Sequence, residues 1–275
     1  MILPIVIPAK NEADVIHTTI TSLIEHLKNT NIKPYIVVVN DGSHDDTANI
    51  AQKLNCKVVN LPDRGYSALG LPELANTFNA GFNFIDENLG KNSFEYLMIV
   101  GADTIFHNNY ITDLIKEMEN NKDIAICSGT PINDKTNKYA IRGSGRIIRN
   151  SFWNKIGRCY PNEFYSWESY PVIYAQANGY KTKVFNYAKF SDLRDREPLS
   201  IVDWKRYGIG MKEKGSIFIY VLGRAFKRLI LHKDIKGSIR LLYGYFLGKP
   251  QKVYEKKLRD YTRKKELSII LKRKF

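Results

Sequence analysis

A carboxylate that could bind a nucleotide stands directly after an apolar run of the sequence. Asp41 follows the run 35–40 and precedes Gly42 and Ser43. A carboxylate at the end of a strand can accept hydrogen bonds from the edge of a uracil or guanine ring or from a ribose, and glycine lets the backbone turn closely beside it. The alternative is that Asp41 and Ser43 only cap the next helix, as Asp and Ser often do. Asp41 is therefore a candidate nucleotide-binding residue.

The segments that must position such a residue follow the pattern of an α/β fold. Short apolar runs alternate with helical patterns in the first half of the chain, which is typical of βαβ units and a parallel sheet. Strands are predicted at residues 3–7, 35–40, 57–60, 96–100 and 124–128, and helices near residues 14–28, 45–53, 72–83 and 110–120. In such sheets ligands bind outside the carboxyl ends of the strands. We therefore expect the site in the loops that follow the strands.

A different pattern begins at about residue 198, where the sequence becomes helical and amphipathic. Long helical segments are predicted over roughly 199–232 and 235–271. We therefore predict an α/β domain over residues 1–197 and a basic amphipathic helical extension over residues 198–275.

The positive charge of the chain is concentrated in that extension. The 275 residues carry a formal net charge of +14, and residues 201–275 hold 21 Lys and Arg against 6 Asp and Glu. Such a basic block suggests anionic lipid headgroups or nucleic acid as a partner, or a merely solvated face. Because the extension lacks a recognisable nucleic-acid-binding motif, we expect an anionic membrane surface and no nucleic acid.

The location of the protein is predicted from three further features. The N-terminus lacks a signal-peptide pattern, and no stretch without a charged residue approaches the roughly 18 to 20 residues that cross a bilayer. The cysteines Cys56, Cys127 and Cys159 are odd in number, have no metal-binding spacing and are interpreted as reduced thiols. We expect a cytoplasmic protein that associates peripherally with the cytoplasmic face of the membrane.

Several motifs occur in a fixed order along the chain. They are IPAKNE at residues 7–12, NDGSHDDT at 40–47, ADT at 102–104 and GSGRIIRNSFWNKIG at 143–157, followed by a Trp-Glu pair. In this order the motifs resemble those of family 2 glycosyltransferases, and the resemblance spans about residues 3–185. It implies a GT-A fold, which is a Rossmann-like, mostly parallel sheet flanked by helices. It also implies inverting transfer of a sugar from a nucleotide-diphosphate donor.

The resemblance places the nucleotide sugar against the loops that follow the strands. The residues that it implies for donor binding are Pro8, Ala9, Asn11, Glu12, Asp41, Arg64, Ala102 and Asp103. Arg64 would face the diphosphate, because the fork of a guanidinium pairs with two phosphate oxygens at once. The alternative for Arg64 is a solvated arginine in a loop.

The resemblance also implies a divalent cation, Mn²⁺ or Mg²⁺, which would neutralise the departing diphosphate. Relatives commonly carry Asp-x-Asp where this chain has Gly101-Ala102-Asp103, so Asp103 matches the metal-binding second acid and Gly101 replaces the first. Asp192 is the candidate that would compensate as a metal ligand. The alternative is that Asp192 and Arg194 form a surface ion pair.

The acceptor side is predicted from the sequence around Trp167 and Glu168. Relatives that glycosylate a hydroxyl commonly show Glu-Asp here, and this chain has Glu168 followed by Ser169. In one interpretation Glu168 deprotonates the acceptor and Trp167 offers an aromatic face to a sugar ring. In the other, the acceptor is a polyprenyl phosphate that needs no base. The alternative for Glu168 is a carboxylate that only stabilises the start of a helix, and the alternative for Trp167 is packing in the core.

The expected acceptor is a glycan or a lipid-linked molecule, and the product would feed a cell-surface glycan or a lipid-linked oligosaccharide. A catalytically impaired binding protein is the main rival hypothesis, because Gly101 and Ser169 both depart from the family pattern. A nucleotidyltransferase is a weaker rival, since the chain lacks the Gly-rich, basic opening loop of those enzymes.

Overall fold

The computed structural model describes residues 1–132, 140–194 and 201–272. These residues form two compact units. The first unit takes its residues from 1–67, 76–160 and 178–196, and the second takes them from 68–75, 161–177 and 197–275. The predicted boundary near residue 198 and the predicted helix start at residue 199 lie outside the described residues.

The first unit contains one mixed sheet with helices. Its strands are β1 (Ile2–Ala9), β2 (Lys33–Asn40), β3 (Lys57–Asn60), β4 (Tyr96–Ile99), β5 (Thr104–Phe106), β6 (Ile124–Pro131), β7 (Arg146–Arg149) and β8 (Lys181–Asp192). The first five helices are α1 (Ala13–Leu27), α2 (Thr47–Lys53), α3 (Leu74–Leu89), α4 (Tyr110–Asn120) and α5 (Asn150–Lys155).

The order of the strands across the sheet is β3-β2-β1-β4-β7-β6-β8-β5. Strands β1 to β4 are parallel where they pair, whereas β7 runs antiparallel to both β4 and β6. The carboxyl ends of β1, β2 and β4 therefore meet at one edge of the sheet. This is the edge where the sequence predicts the site.

Burial explains why these segments form the sheet and its covering helices. The apolar positions of α1 recur at helical spacing, and Ile16, Ile20, Leu23 and Leu27 belong to the same buried cluster as the apolar side chains of β1 and β2. Such a stripe fixes one face of the helix on the sheet. The helix thereby holds the loop after β1 in place.

The second unit is helical. Its helices are α6 (Tyr170–Ala177), α7 (Ile201–Glu213), α8 (Phe218–His232), α9 (Ile235–Leu247) and α10 (Lys256–Lys272), and a short 3₁₀ turn covers Trp167–Ser169. Two glycines bring α7 and α9 close together. A Cβ atom added to Gly208 would lie 2.1 Å from the Leu241 carbonyl oxygen, and one added to Gly244 would lie 2.0 Å from that of Lys205.

The α/β architecture and the C-terminal helices confirm the predicted fold class. The prediction of two long helices is wrong in detail, because each is divided in two. Gly215, with a φ of +76°, follows α7, and α9 ends before Gly248 and Pro250. Glycine readily adopts the left-handed conformation that ends a helix, and proline lacks the N–H that would continue one. Sequence periodicity alone also missed β5 and β7.

Candidate functional site

The loops after β1 and β2 are joined by hydrogen bonds. The Asn11 N–H donates to Ser43 Oγ at 2.9 Å, and the His44 N–H donates to Asn11 Oδ1 at 2.9 Å. The Glu12 N–H donates to Thr47 Oγ1 at 2.8 Å. Asn11 adopts a φ of 56°, a left-handed conformation that asparagine tolerates better than most residues. These bonds hold the two sequence motifs together as one surface.

Pro8 and Ala9 are the last residues of β1, where they pair with Val39 and Asn40 of β2. The Asp41 N–H then donates to the Ala9 carbonyl oxygen at 2.8 Å. The parallel pairing thus continues one residue beyond β2. It fixes the backbone of Asp41 relative to Pro8 and Ala9.

The side chain of Asp41 is buried and forms an ion pair with Arg64. Arg64 also donates to Thr77 Oγ1 at 3.1 Å. Two buried atoms of this pair, Asp41 Oδ1 and Arg64 Nε, have no hydrogen-bond partner among the described residues. A buried polar atom without a partner costs about 1–3 kcal/mol, so a ligand that satisfied these atoms would gain from the contact.

Gly42 is required by a close approach of two loops. Its φ is +68°, and a Cβ atom at this position would lie 2.3 Å from the Asp63 Cα atom. Any larger residue at position 42 would force the loop after β3, which contains Asp63, away from β2. This agrees with the expectation that glycine lets the backbone turn closely beside Asp41.

Lys10 is a central residue of this surface that the sequence interpretation did not single out. Its ammonium group donates to the carbonyl oxygens of Asp41 at 3.0 Å and Gly42 at 3.1 Å, and to Asp63 Oδ1 at 2.6 Å. The hydrogen bond from Lys10 lowers the pKa of Asp63 to about 2, and further hydrogen bonds from Gly65 and His44 act in the same direction. The presence of a lysine in the same motif as Asn11 and Glu12 was the only signal in the sequence.

A cavity of about 400 Å³ lies beside these residues. Its lining consists of polar, charged and aromatic side chains and one glycine, namely Lys10, Asn11, His44, Asp63, Gly65, Tyr66 and Ser67. Its chemistry suits a polar ligand with both hydrogen-bonding groups and a flat ring.

A second cluster gathers acidic residues from three segments of the chain. The Leu193 N–H donates to the Asp103 carbonyl oxygen at 2.7 Å, and Asp192 pairs with Thr104 between β8 and β5. Arg194 forms an ion pair with Glu12, and its Nε lies 4.0 Å from Asp103 Oδ2. Partial burial raises the pKa of Glu12, although Arg194 opposes the shift. The structure therefore brings Glu12 and Asp103 together around Arg194, and it places Asp192 opposite Thr104, the residue that follows Asp103.

A hydrogen-bonded pair of hydroxyl side chains, Ser144 and Thr104, lies beside Gly101. The Gly101 N–H donates to Ser144 Oγ at 2.9 Å, and Ser144 Oγ lies 2.7 Å from Thr104 Oγ1. A Cβ atom at Gly101 would lie 3.0 Å from Thr104 Oγ1 and 3.2 Å from Asp103 Oδ1. A first acid at this position would therefore crowd both residues. Ala102, the middle residue of the motif, is buried.

The chemistry of these carboxylates fits a divalent cation of the Mg²⁺ or Mn²⁺ type. The described residues contain no group of three His, Cys, Asp or Glu arranged to hold a metal ion by themselves. However, Mg²⁺ is commonly bound through one or two carboxylates together with phosphate oxygens of a substrate. Asp103 and Asp192 could supply such a partial set of oxygen ligands, and the substrate would complete it.

The two predicted acceptor residues lie in the second unit. Trp167 is 5% exposed, and its indole N–H donates to the Leu71 carbonyl oxygen at 3.2 Å. Its ring offers no open face in this structure, which favours core packing over a role as a sugar platform. Glu168, by contrast, is exposed in the 3₁₀ turn. Of these two side chains, only that of Glu168 is accessible to an acceptor.

A buried carboxylate of α7 fixes the backbone just before that turn. Glu213 accepts hydrogen bonds from the Tyr165 N–H at 3.0 Å, from the Ser166 N–H at 3.0 Å and from Ser166 Oγ at 2.9 Å. Burial raises the pKa of Glu213, and these hydrogen bonds oppose the shift. The Tyr254 hydroxyl donates to the Ser166 carbonyl oxygen at 2.7 Å. No local pattern could reveal Glu213, because its partners lie almost fifty positions earlier in the sequence.

Comparison with known proteins agrees with these features. The family model described as glycosyl transferase family 2 matches residues 5–187. Residues 1–349 of S. aureus TarS, solved in complex with UDP, are similar in structure with a TM-score of 0.55 and 15% identity, covering 99% of this chain and 92% of that one. The mannosyltransferase PcManGT from Pyrobaculum calidifontis, in complex with GDP-Man and Mn²⁺, gives a TM-score of 0.56 and 12% identity, covering 99% and 76%. At such identities the likeness shows a shared fold. No curated protein matches the sequence significantly.

Proposed function

The chain belongs to glycosyl transferase family 2, and we propose that it transfers a sugar with inversion from a nucleotide-sugar donor, the class of donor that members of this family use. In this proposal the acceptor group is a hydroxyl of a glycan or of a lipid-linked molecule, and a divalent cation binds at Asp103. The observation that carries this proposal is that Arg194 links Glu12, which follows β1, to Asp103, which follows β4, at the edge of the sheet where Asp41 at the end of β2 pairs with Arg64. The Mn²⁺ and GDP-Man named for the Pyrobaculum structure support it by analogy of fold.

The nucleoside would bind at the surface formed by the loops after β1 and β2. Asp41 Oδ1 is a buried acceptor in need of a donor, and the N–H groups of a uracil or guanine edge would satisfy it. Pro8 and Ala9 at the end of β1, and Asn11 in the loop that follows, would border the same surface. The guanidinium of Arg64 would then face the diphosphate from beside Asp41.

The acidic cluster would bind the cation that neutralises the charge of the diphosphate. Asp103 and Asp192 would hold Mg²⁺ or Mn²⁺, which supplies positive charge to the leaving diphosphate. Arg194 lies close to both Glu12 and Asp103 in the ligand-free protein. When the donor binds, this arginine would pair with the diphosphate. Ala102 would contribute through its backbone, since its side chain is buried.

The reaction that these residues would support is a single displacement. The acceptor oxygen forms a bond to the anomeric carbon while the bond between that carbon and the diphosphate oxygen breaks. Glu168, an exposed carboxylate on a turn fixed by Glu213, takes the proton of the acceptor hydroxyl. The products are the inverted glycoside and a nucleoside diphosphate.

A cytoplasmic location is part of the proposal. Cys56, Cys127 and Cys159 are free thiols, which suits a reducing compartment. None of the helices in the described ranges is long and apolar enough to cross a membrane.

The proposal is tested by a thermal-shift panel of UDP-, GDP- and dTDP-sugars with Mn²⁺ or Mg²⁺. A ligand at about 100 times its Kd stabilises the folded state by roughly 2.7 kcal/mol. We expect one nucleotide series to raise the Tm in the presence of metal, and Asp103→Asn to abolish the metal-dependent part of the shift. Asp113→Asn, a change on α4 outside the cluster, serves as the control. A wild type that responds to no donor, and hydrolyses none, would point to the impaired binding protein.

A further inference from the structure

Helices α8 and α9 form an antiparallel hairpin with a tight, well-fixed turn. Lys233 adopts a left-handed φ of 53°, and Asp234 caps α9 by accepting a hydrogen bond from the Gly237 N–H at 2.7 Å. Arg228 of α8 forms an ion pair with the same Asp234 and stacks over the Trp204 ring at 3.5 Å. The hairpin is therefore held in one geometry by contacts at its turn.

One side of the hairpin is packed within the second unit. Val221, Ala225 and Leu241 are buried together with Met211 of α7. The Ser238 hydroxyl donates to the Ala225 carbonyl oxygen at 3.0 Å, which ties α9 to α8. The inner side of the hairpin thus has its partners within this chain.

The other side exposes large apolar side chains at helical spacing. On α8, Phe226 and Ile230 are 63% and 56% exposed, and on α9, Ile235 and Ile239 are each 60% exposed. These residues lie near the turn that joins the helices. At the far end of the hairpin, the rings of Phe218 and Phe246 meet edge to face at 5.2 Å. We call the exposed apolar side chains of the two helices together the hairpin face.

The hairpin face is bordered by positive charge. Residues 218–249 contain seven Lys and Arg against a single Asp, a net charge of +6. Lys227, Lys236 and Arg240 are exposed directly beside the apolar positions. Lys236 and Arg240 are four residues apart, so they form a basic row parallel to the row of Ile235 and Ile239.

We propose that the hairpin face docks on an anionic lipid bilayer, with α8 and α9 lying in the plane of the interface. An exposed apolar stripe next to basic side chains is the composition of helices that lie at a membrane surface, where each Lys or Arg gains from anionic headgroups. A second copy of this chain is the less suitable occupant, because two faces of equal positive charge repel each other. This partner goes beyond the proposed reaction and does not depend on it.

The experiment is co-sedimentation of the full chain with vesicles of phosphatidylcholine, with or without phosphatidylglycerol. We expect binding to the anionic vesicles and little binding to the neutral ones. The double variant Lys236→Gln with Arg240→Gln removes two charges, each contributing about fivefold in partitioning, so binding should fall by roughly 25-fold. Phe226→Ser with Ile239→Ser removes two large apolar groups and should lower binding at least tenfold.

The controls separate docking from folding and from self-association. Ile132→Ser removes an exposed apolar side chain of the first unit and should leave vesicle binding unchanged. The thermal unfolding of each variant should match that of the wild type, because the substituted side chains are exposed. Equal binding to neutral and anionic vesicles would overturn the proposal. So would a stable dimer that Phe226→Ser with Ile239→Ser dissociates while vesicle binding stays intact.

Discussion

The carboxylate of Asp41 pairs with Arg64 but keeps Oδ1 buried, without a hydrogen-bond partner in the part of the chain that the structure describes. A charged acceptor in this state has the most to gain from an incoming N–H group, since hydrogen bonds to charged groups contribute about 1.5–3 kcal/mol.

We therefore predict that Asp41→Asn weakens the binding of the matching nucleoside diphosphate roughly 10- to 100-fold, as measured by isothermal titration calorimetry without metal. The asparagine side chain is neutral, so it cannot form an ion pair with Arg64, and its NH₂ group cannot accept a hydrogen bond. Asp14→Asn, an exposed change on α1, should bind like the wild type. Equal affinities for Asp41→Asn and the wild type would remove Asp41 from the site.

If the acidic cluster binds a metal ion as proposed, Arg194 competes with that ion in the ligand-free protein. It pairs with Glu12 and lies 4.0 Å from Asp103, but its side chain is 50% exposed, so solvent screens its charge. We predict that Arg194→Ala tightens Mn²⁺ binding by about fivefold, a change of roughly 1 kcal/mol, while slowing sugar transfer. Electron paramagnetic resonance of free Mn²⁺ reports the first effect. Lys57→Ala removes the same charge at a distance, and a similar gain in that variant would show a general charge effect instead.

The role of Glu168 depends on the chemistry of the acceptor. If the acceptor is a hydroxyl, Glu168→Gln should lower kcat by about 10²- to 10⁴-fold with little change in the donor KM, because only proton transfer is lost. Glu163→Gln replaces a nearby carboxylate that pairs with Lys252 and should leave kcat almost unchanged. A loss below tenfold in Glu168→Gln would favour a phosphate acceptor, whose oxygen is already anionic.

The pKa of Asp63 should follow Lys10. Its folded-state pKa of about 2 lies below the ordinary value of 3.8, so the stability that it contributes is present above pH 3.8 and is lost as the pH falls towards 2. We predict that Lys10→Met raises the pKa of Asp63 towards 3.8, as followed by ¹³C NMR of its carboxyl group. Lys33→Met, at the exposed start of β2, should leave the titration in place. An unchanged pKa in Lys10→Met would mean that Gly65 and His44 suffice.

Glu213 should matter for stability as well as for activity. In Glu213→Gln an amide N–H₂ would face backbone N–H groups of Tyr165 and Ser166, so at least one buried donor loses its acceptor. We predict a loss of about 1–3 kcal/mol in the free energy of unfolding, measured by urea denaturation. The exposed Glu255, which accepts from the Tyr170 hydroxyl, provides the matched change Glu255→Gln with a loss below about 1 kcal/mol. Similar losses in both variants would contradict a special role for Glu213.

The sequence was most informative where residue types repeat with the period of a strand or a helix. The predicted strands 57–60 and 35–40 and the helix at 110–120 agree closely with β3, β2 and α4, because apolar residues with clear polar boundaries mark them. The strands β5 and β7 escaped prediction, since both form by antiparallel pairing outside the βαβ pattern, and such long-range pairing leaves no local signal.

The candidate site was predicted in the same uneven way. Asp41, Glu12 and Asp103 stand at strand ends and are visible in the sequence, and the structure brings them to one edge of the sheet. The partners of these residues are set by tertiary contacts. Lys10 reaches Asp63 across 53 positions, and Arg194 reaches Glu12 across 182, so no local spacing could reveal either contact.

The anchoring of the Tyr165–Ser166 backbone by Glu213 has a consequence for how the protein could evolve. A gene fusion that exchanged everything after residue 198 for another extension would take away the carboxylate on which this turn depends, even though the turn itself would be inherited intact. A new extension could be accepted only if it also brought an acidic side chain to the same place. The turn that begins at Tyr165 and Ser166 and the C-terminal helices are thus expected to diversify as a single heritable module.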